Sequence, residues 1–136
     1  MPDEAPLAPV RDWLSKAASD LRAGQYLITA QPPLTGQAAF SAQQVAEKVL
    51  KAFLTWHGQP FRKTHDLKTL GGQCVQIDPT LENVCRRADR LSAFAWMFRY
   101  PGEPDPTPLD VAASLTLAGE LYDAIVSRLP SEARPE

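Results

Sequence analysis

The stretch FSAQQVAEKVLKAFLTWHG, residues 40–58, decides the fold. Ala42, Val45, Ala46, Val49, Phe53 and Trp56 recur at steps of three and four, the period of one helix face. Gln44, Glu47, Lys48 and Lys51 form a polar stripe on the other side. Glu47 and Lys51 stand four apart with the acid first, the favourable order for a helical ion pair, and Gln44 and Lys48 share that spacing. The stripe is therefore either the wet side of a helix or part of a site. The helix predicted here covers Gln37 to His57, with Gly58 as its stop and Pro60 beyond.

Upstream, QPPLTG (31–36) breaks the chain, because Pro32 and Pro33 lack the amide donors a helix uses. Before it, Val10, Leu14, Ala17, Leu21, Gly24 and Ile28 share one face of a helix over Val10–Ala30. Residues 1–9 hold three prolines and few core candidates, so they are expected as a flexible arm. Downstream, QPFRKT (59–64) is a loop. A short helix is expected from Thr64 or His65 to about Gln76, with Gly71-Gly72 weakening it.

DPT (78–80) is a start signal, with Asp78 as cap and Pro79 at the first helical position. The helix that follows is expected to reach Arg99, with Leu81, Val84, Cys85, Ala88, Leu91, Ala95 and Trp96 on its buried stripe. YPGEPDPTP (100–108) is a loop. A last helix runs from Pro108 to Leu129, with Val111, Leu115, Ala118, Tyr122, Ile125 and Leu129 on one face. Residues 131–136 are expected as a flexible tail. No period-two run enriched in β-branched residues occurs. The expected fold is all-α, an antiparallel up-and-down four-helix bundle with an additional short helix, over residues 10–130.

A chain of 136 residues suits one domain around one core. The net charge of −2 argues against broad, non-specific nucleic-acid binding, which leaves a basic footprint. Cys74 and Cys85 are too few for a disulfide framework and lack metal-like spacing, so they read as reduced thiols of a cytoplasmic protein. The acidic, proline-rich start lacks the basic and apolar parts of a signal peptide, and no apolar run is long enough to span a bilayer. LGGQ (70–73) lacks the lysine and the strand context of a phosphate loop. No metal and no cofactor are expected.

Several residues break the amphipathic pattern. Followed in phase, Arg99 falls beside Leu81, Ala88 and Ala95. A buried charge needs a partner, so Arg99 either meets a carboxylate or lays its stem on the core with its head in water. Asp20 sits at the edge of the first stripe, near Trp13 and Gly24. It is a buried ion-pair candidate for Arg99 or for a lysine of the second helix, or else a solvated carboxylate. His65 with Asp66 reads as a general base with an orienting acid, or as a helix start capped by Thr64. His57 at a helix C-terminus would be stabilised when charged. Arg86, Arg87 and Arg90, with Arg62, Lys63 and Lys68, form either a patch for an acidic partner or nucleic acid, or a solvated face.

These oddities come in one order: FSAQQVAEKVLKAFL, a glycine-bearing turn, THDLKTL, FRYPGEP and a closing helix. Over about residues 11–129 the chain resembles the HEPN domain family (higher eukaryotes and prokaryotes nucleotide-binding). The resemblance implies a helical bundle that pairs with a second copy of itself and works with a small nucleotidyltransferase, fused or separate. It marks Gln44, Glu47, Lys48, Lys51, His65, Asp66, Arg99 and Tyr100 as site residues. Many HEPN proteins are metal-independent ribonucleases, which need a base for the ribose hydroxyl and a cation for the phosphate. Their catalytic members carry an arginine, a polar residue and, a few positions later, a histidine. Here neither His57 nor His65 has an arginine at that distance, since Arg62 is too close to His65, and no histidine follows Arg86, Arg87, Arg90 or Arg99.

The resemblance thus implies a non-catalytic module that binds a nucleotide, a nucleotidyltransferase partner or both, in a two-component, toxin–antitoxin-like system. Lys48, Lys51 and Arg99 are its expected phosphate ligands. The alternatives are a ribonuclease using His65 with Arg99 or Arg62, and an architectural dimerising bundle with no small ligand.

Overall fold

The computed structural model describes residues 7–61 and 63–135, apart from the side chain of Arg99. Its helices are α1 (Leu7–Leu27), α2 (Thr35–Trp56), α3 (Leu67–Ile77), α4 (Glu82–Ala88) and α5 (Pro108–Val126). Short 3-10 stretches cover Pro79–Leu81, Asp89–Ala95, Met97–Arg99 and Ser131–Ala133. The architecture is all-α, with no strand among the described residues. No helix is long and apolar enough to cross a membrane.

Helix α2 is central. α1, α5, α3 and the 89–99 segment all pack against it. Its small residues permit this: Ala38, Ala39, Ala42, Ala46 and Ala52 are fully buried, as are Val45, Val49, Leu50 and Leu54. The expected one-sided stripe is therefore corrected. Leu50 and Leu54 bury on the far side, and Glu47 and Lys51 of the polar stripe are buried with them, while Gln44 and Lys48 are half-buried. Gly58 ends the helix as expected, with φ of 65° just past the cap residue His57.

α1 begins at Leu7, so residues 7–9 of the expected arm are helical. Pro9 is tolerated because amides of a first turn have no helical partner. Residues 1–6 of that arm lie outside the described residues. At the other end, residues 131–133 of the expected tail form a turn with Ala133 fully buried. Arg11 of α1 holds that turn, its Nε and Nη2 donating to the Glu132 carbonyl at 3.1 and 2.6 Å.

The segment after Asp78 departs from the single helix expected. Asp78 does cap its start, accepting from the Thr80 amide at 3.0 Å, and it also accepts from Arg128 Nε of the chain following α5 at 3.0 Å. From Asp89 the winding tightens to 3-10 geometry. Three residues per turn rotate the side chains out of the 3.6-residue phase. Leu91 and Ala95 stay buried, but Trp96 is 55% exposed rather than on the core stripe.

α3 starts later than expected because its cap is Asp66, not Thr64. The Asp66 carboxylate accepts from the Lys68 amide at 3.1 Å and from Thr69 Oγ1 at 2.8 Å. Thr64 Oγ1 instead accepts from the Asp66 amide at 3.0 Å.

Candidate functional site

Gln43, Glu47 and Lys51 follow each other at four-residue steps on α2, so they point the same way. All are buried. The Glu47 carboxylate is the hub. It accepts from Gln43 Nε2 at 3.0 Å, from Lys51 Nζ at 2.9 Å and from His65 Nδ1 at 2.7 Å. Burial pushes the Glu47 carboxyl up. The hydrogen bonds from Gln43, His65 and Lys51, with the Lys51 charge, outweigh that and hold it below the ordinary carboxylate value. Glu47 is therefore a carboxylate anion at neutral pH.

Around the hub, Gln43 Nε2 also donates to the His65 carbonyl at 3.2 Å, which ties the 59–66 loop to α2. Gln43 Oε1 accepts from Gln44 Nε2 at 2.7 Å. The Lys51 ammonium lies 5.6 Å from the ring centres of both Trp13 on α1 and Phe61 in the loop. Those rings meet edge to face at 6.3 Å. A cation bonded to a carboxylate and facing two aromatic rings is well compensated for the hydration it gives up. Among the described residues no buried side-chain polar atom lacks a partner.

The cluster opens to solvent at the His65 ring, whose side chain is 71% exposed while that of Glu47 is 8% exposed. Beside it on α2, Lys48 Nζ pairs with Asp20 Oδ2 of α1 at 2.5 Å. Of the alternatives for Asp20, the lysine of the second helix is the one realised, and Asp20 is half-buried rather than buried. The question whether Arg99 meets Asp20 or Glu47 concerns a side chain outside the described residues, as does the role expected of Arg62.

The structure thus brings Gln44, Glu47, Lys48, Lys51 and His65 together, with Asp20 alongside. Asp66 does not orient His65, because its carboxylate is committed to capping α3. Glu47 takes that place. Tyr100 is 64% exposed. Its turn packs Phe98 against Gly36 at the start of α2. Gly36 and Glu47 lie about 16 Å apart along the helix axis.

The His57 ring packs 4.5 Å from that of Phe53, and partial burial lowers its pKa, with Asp78 acting in the opposite sense. Arg86 pairs with Glu82 at 2.6 Å and Arg87 with Glu120 at 2.9 Å, as on a solvated face. Cys74 and Cys85 are buried free thiols. Burial raises both, that of Cys85 to about 11, which makes them poor nucleophiles. No metal-like group of His, Cys, Asp and Glu occurs among the described residues.

Gln43, Trp13 and Phe61 were missed by the sequence reading. The four-residue step from Gln43 to Glu47 to Lys51 was a usable signal for the first. Nothing in the sequence pairs Trp13 with Phe61. Two of the clefts lie elsewhere: one of about 440 Å³ between Phe94, Phe98, Pro104 and Asp110, and one of about 240 Å³ beside Gly71, Gly72 and Cys85.

Together these features define a helical module whose buried acid–base cluster reaches solvent through one imidazole. The chain belongs to the HEPN domain family, whose sequence model matches residues 10–129. No curated protein and no solved structure matches it. Membership brings with it a nucleotide- or RNA-related function in general terms.

Proposed function

We propose that this HEPN chain is a non-catalytic module that binds a nucleotide or RNA at the rim marked by His65. In this proposal it acts as a homodimer beside a nucleotidyltransferase protein, in a two-component, toxin–antitoxin-like pair in the cytoplasm. Family membership supports the ligand class, and the two buried thiols suit a reducing compartment. One observation supports binding over catalysis. Lys48 and Lys51, the expected phosphate ligands, are each paired with a carboxylate instead, Asp20 and Glu47, so neither charge is free to follow a developing phosphorane while a ligand held by hydrogen bonds at the rim does not require one. Phosphodiester cleavage needs a cation available for charge that builds in the transition state.

The test is the melting midpoint of the protein against a panel of nucleotides and a short RNA, with the adjacent reading frame's protein as a further arm. A ligand at a hundred times its Kd adds about 2.7 kcal/mol of stability. The shift should vanish in His65→Ala. If no ligand moves the midpoint, the architectural dimerising bundle is the better reading.

A second reading is favoured by the 2.7 Å contact between Glu47 and His65 Nδ1. A carboxylate-oriented imidazole is the usual arrangement for a general base. A metal-independent ribonuclease would use His65 as base, with Arg99 or Arg62 as the cation. RNA incubated with the protein in EDTA decides this. Cleavage that His65→Ala abolishes would replace the binding reading.

A further inference from the structure

We infer that the groove between the 87–98 segment and α5 is a docking site for one amphipathic helix of a partner protein, which sets apolar side chains into the groove and one carboxylate on Arg90. The groove shares no residue with the His65 cluster, so the inference stands apart from the nucleotide or RNA reading.

The two walls run antiparallel. Arg87 pairs with Glu120 at one end, and Phe98 and Asp110 line the same cleft at the other. The first wall presents residues 87, 90, 94 and 98, at steps of three and four. The α5 wall presents residues 110, 113, 117 and 120 in the same way. Between them lie two cavities of about 440 and 330 Å³, which meet at Arg90 and Ala113, since those residues line both. The small side chain of Ala113 keeps the passage open. From Asp110 to Glu120 the α5 wall is about 15 Å long, room for about three turns of a helix laid along it. Walls ridged at three- and four-residue steps suit a third helix, whose own ridges have that spacing.

The occupant's chemistry follows from what the walls leave unsatisfied. Phe94 and Phe98 are only half-buried, with ring centres 5.2 Å apart, and Pro104 and Pro106 add apolar surface at that end. Of the five large hydrophobic side chains exposed among the described residues, three, Trp96, Tyr100 and Leu109, belong to the segments that frame it. Apolar surface gathered in one place marks an interaction surface. Arg86 and Arg87 each have a carboxylate, whereas Arg90, where the cavities join, has no partner among the described residues. A guanidinium beside apolar walls can grip one carboxylate with two bonds. Asp105 and Asp110 line the same groove and repel a polyanion. The partner therefore carries a single acid beside its apolar stripe, and nucleic acid is disfavoured. Such a stripe, with anchors at i, i+4 and i+7, is how a helix is read by a groove.

The test is a display selection against the wild-type protein from a library of helix-stabilised peptides of about 14 residues. The enriched peptides are then measured on Arg90→Ala, Arg90→Glu and Ala113→Phe. Arg90 and Ala113 are exposed, so these variants keep the fold, which melting curves check. Enriched sequences should carry large apolar residues at i, i+4 and i+7 and an Asp or Glu at one fixed flanking position. Arg90→Ala should weaken binding at least about tenfold, the worth of a hydrogen bond between charged groups. Arg90→Glu should prefer the same peptide with its acid changed to lysine, and Ala113→Phe should abolish binding. No enrichment, or peptides indifferent to Arg90→Ala and Ala113→Phe, overturns the inference. So does an RNA oligomer whose binding Arg90→Glu removes, which would make the groove a polyanion site. A wild-type dimer that Ala113→Phe splits overturns it too, by seating a second copy of the chain there.

Discussion

Glu47 keeps a negative charge in a helix enclosed by others, because Gln43, Lys51 and His65 all donate to it. Removing one donor leaves charge without full compensation, which costs more than the intact pair contributes. Lys51→Met keeps an apolar stem between Trp13 and Phe61 but removes the ammonium. It should destabilise the protein by about 3 kcal/mol in urea unfolding. The acid response follows from the same residue. The folded pKa of Glu47 lies below its ordinary value of 4.5. Its contribution is therefore fully present above pH 4.5 and is lost as pH falls through the folded value. Stability measured by urea should fall on acidification below pH 4.5, and the Glu47→Gln protein should show a flatter acid limb.

At the scale of elements, close approach of helices depends on what glycines and alanines leave out. A Cβ on Gly24 of α1 would lie 2.5 Å from Leu115 Cδ2 of α5 and 3.2 Å from Ser41 Cβ of α2. Three helices meet there and Leu115 is buried, so its side chain has to repack to make room. Gly24→Ala should cost about 1–3 kcal/mol through overpacking, more than alanine's helix propensity returns. Gly72, inside α3, faces open space. Gly72→Ala should stabilise by about 0.5–1 kcal/mol. Denaturant midpoints of the two variants should move in opposite directions. The periodicity of α1, α2 and α5 was legible because amphipathic phase is a local property. The tightening at Asp89 was not, because a 3-10 stretch and an α-helix share residue preferences and differ in which face they turn to the core.

Across the whole molecule, the C-terminal turn folds back on α1 through Ala133 and the bond from Arg11 to the Glu132 carbonyl. Removing residues 130–136 should lower the melting midpoint by about 4 °C for each kcal/mol by which the truncation destabilises the fold. A midpoint unchanged by the truncation would show that this turn contributes nothing. By itself the sequence determined the helical class, the helix order, the Asp78 and Gly58 signals and the Glu47–Lys51 pair. Each of these is written in spacings of a few residues, where chain geometry leaves little freedom. Only the tertiary structure decided that α2 is enclosed, that Lys48 meets Asp20, and that Glu47 rather than Asp66 holds His65. Glu47 and His65 are 18 positions apart, joined through a helix end and a loop. Which carboxylate reaches an imidazole over that distance depends on how the loop docks, and docking depends on every helix that packs around it.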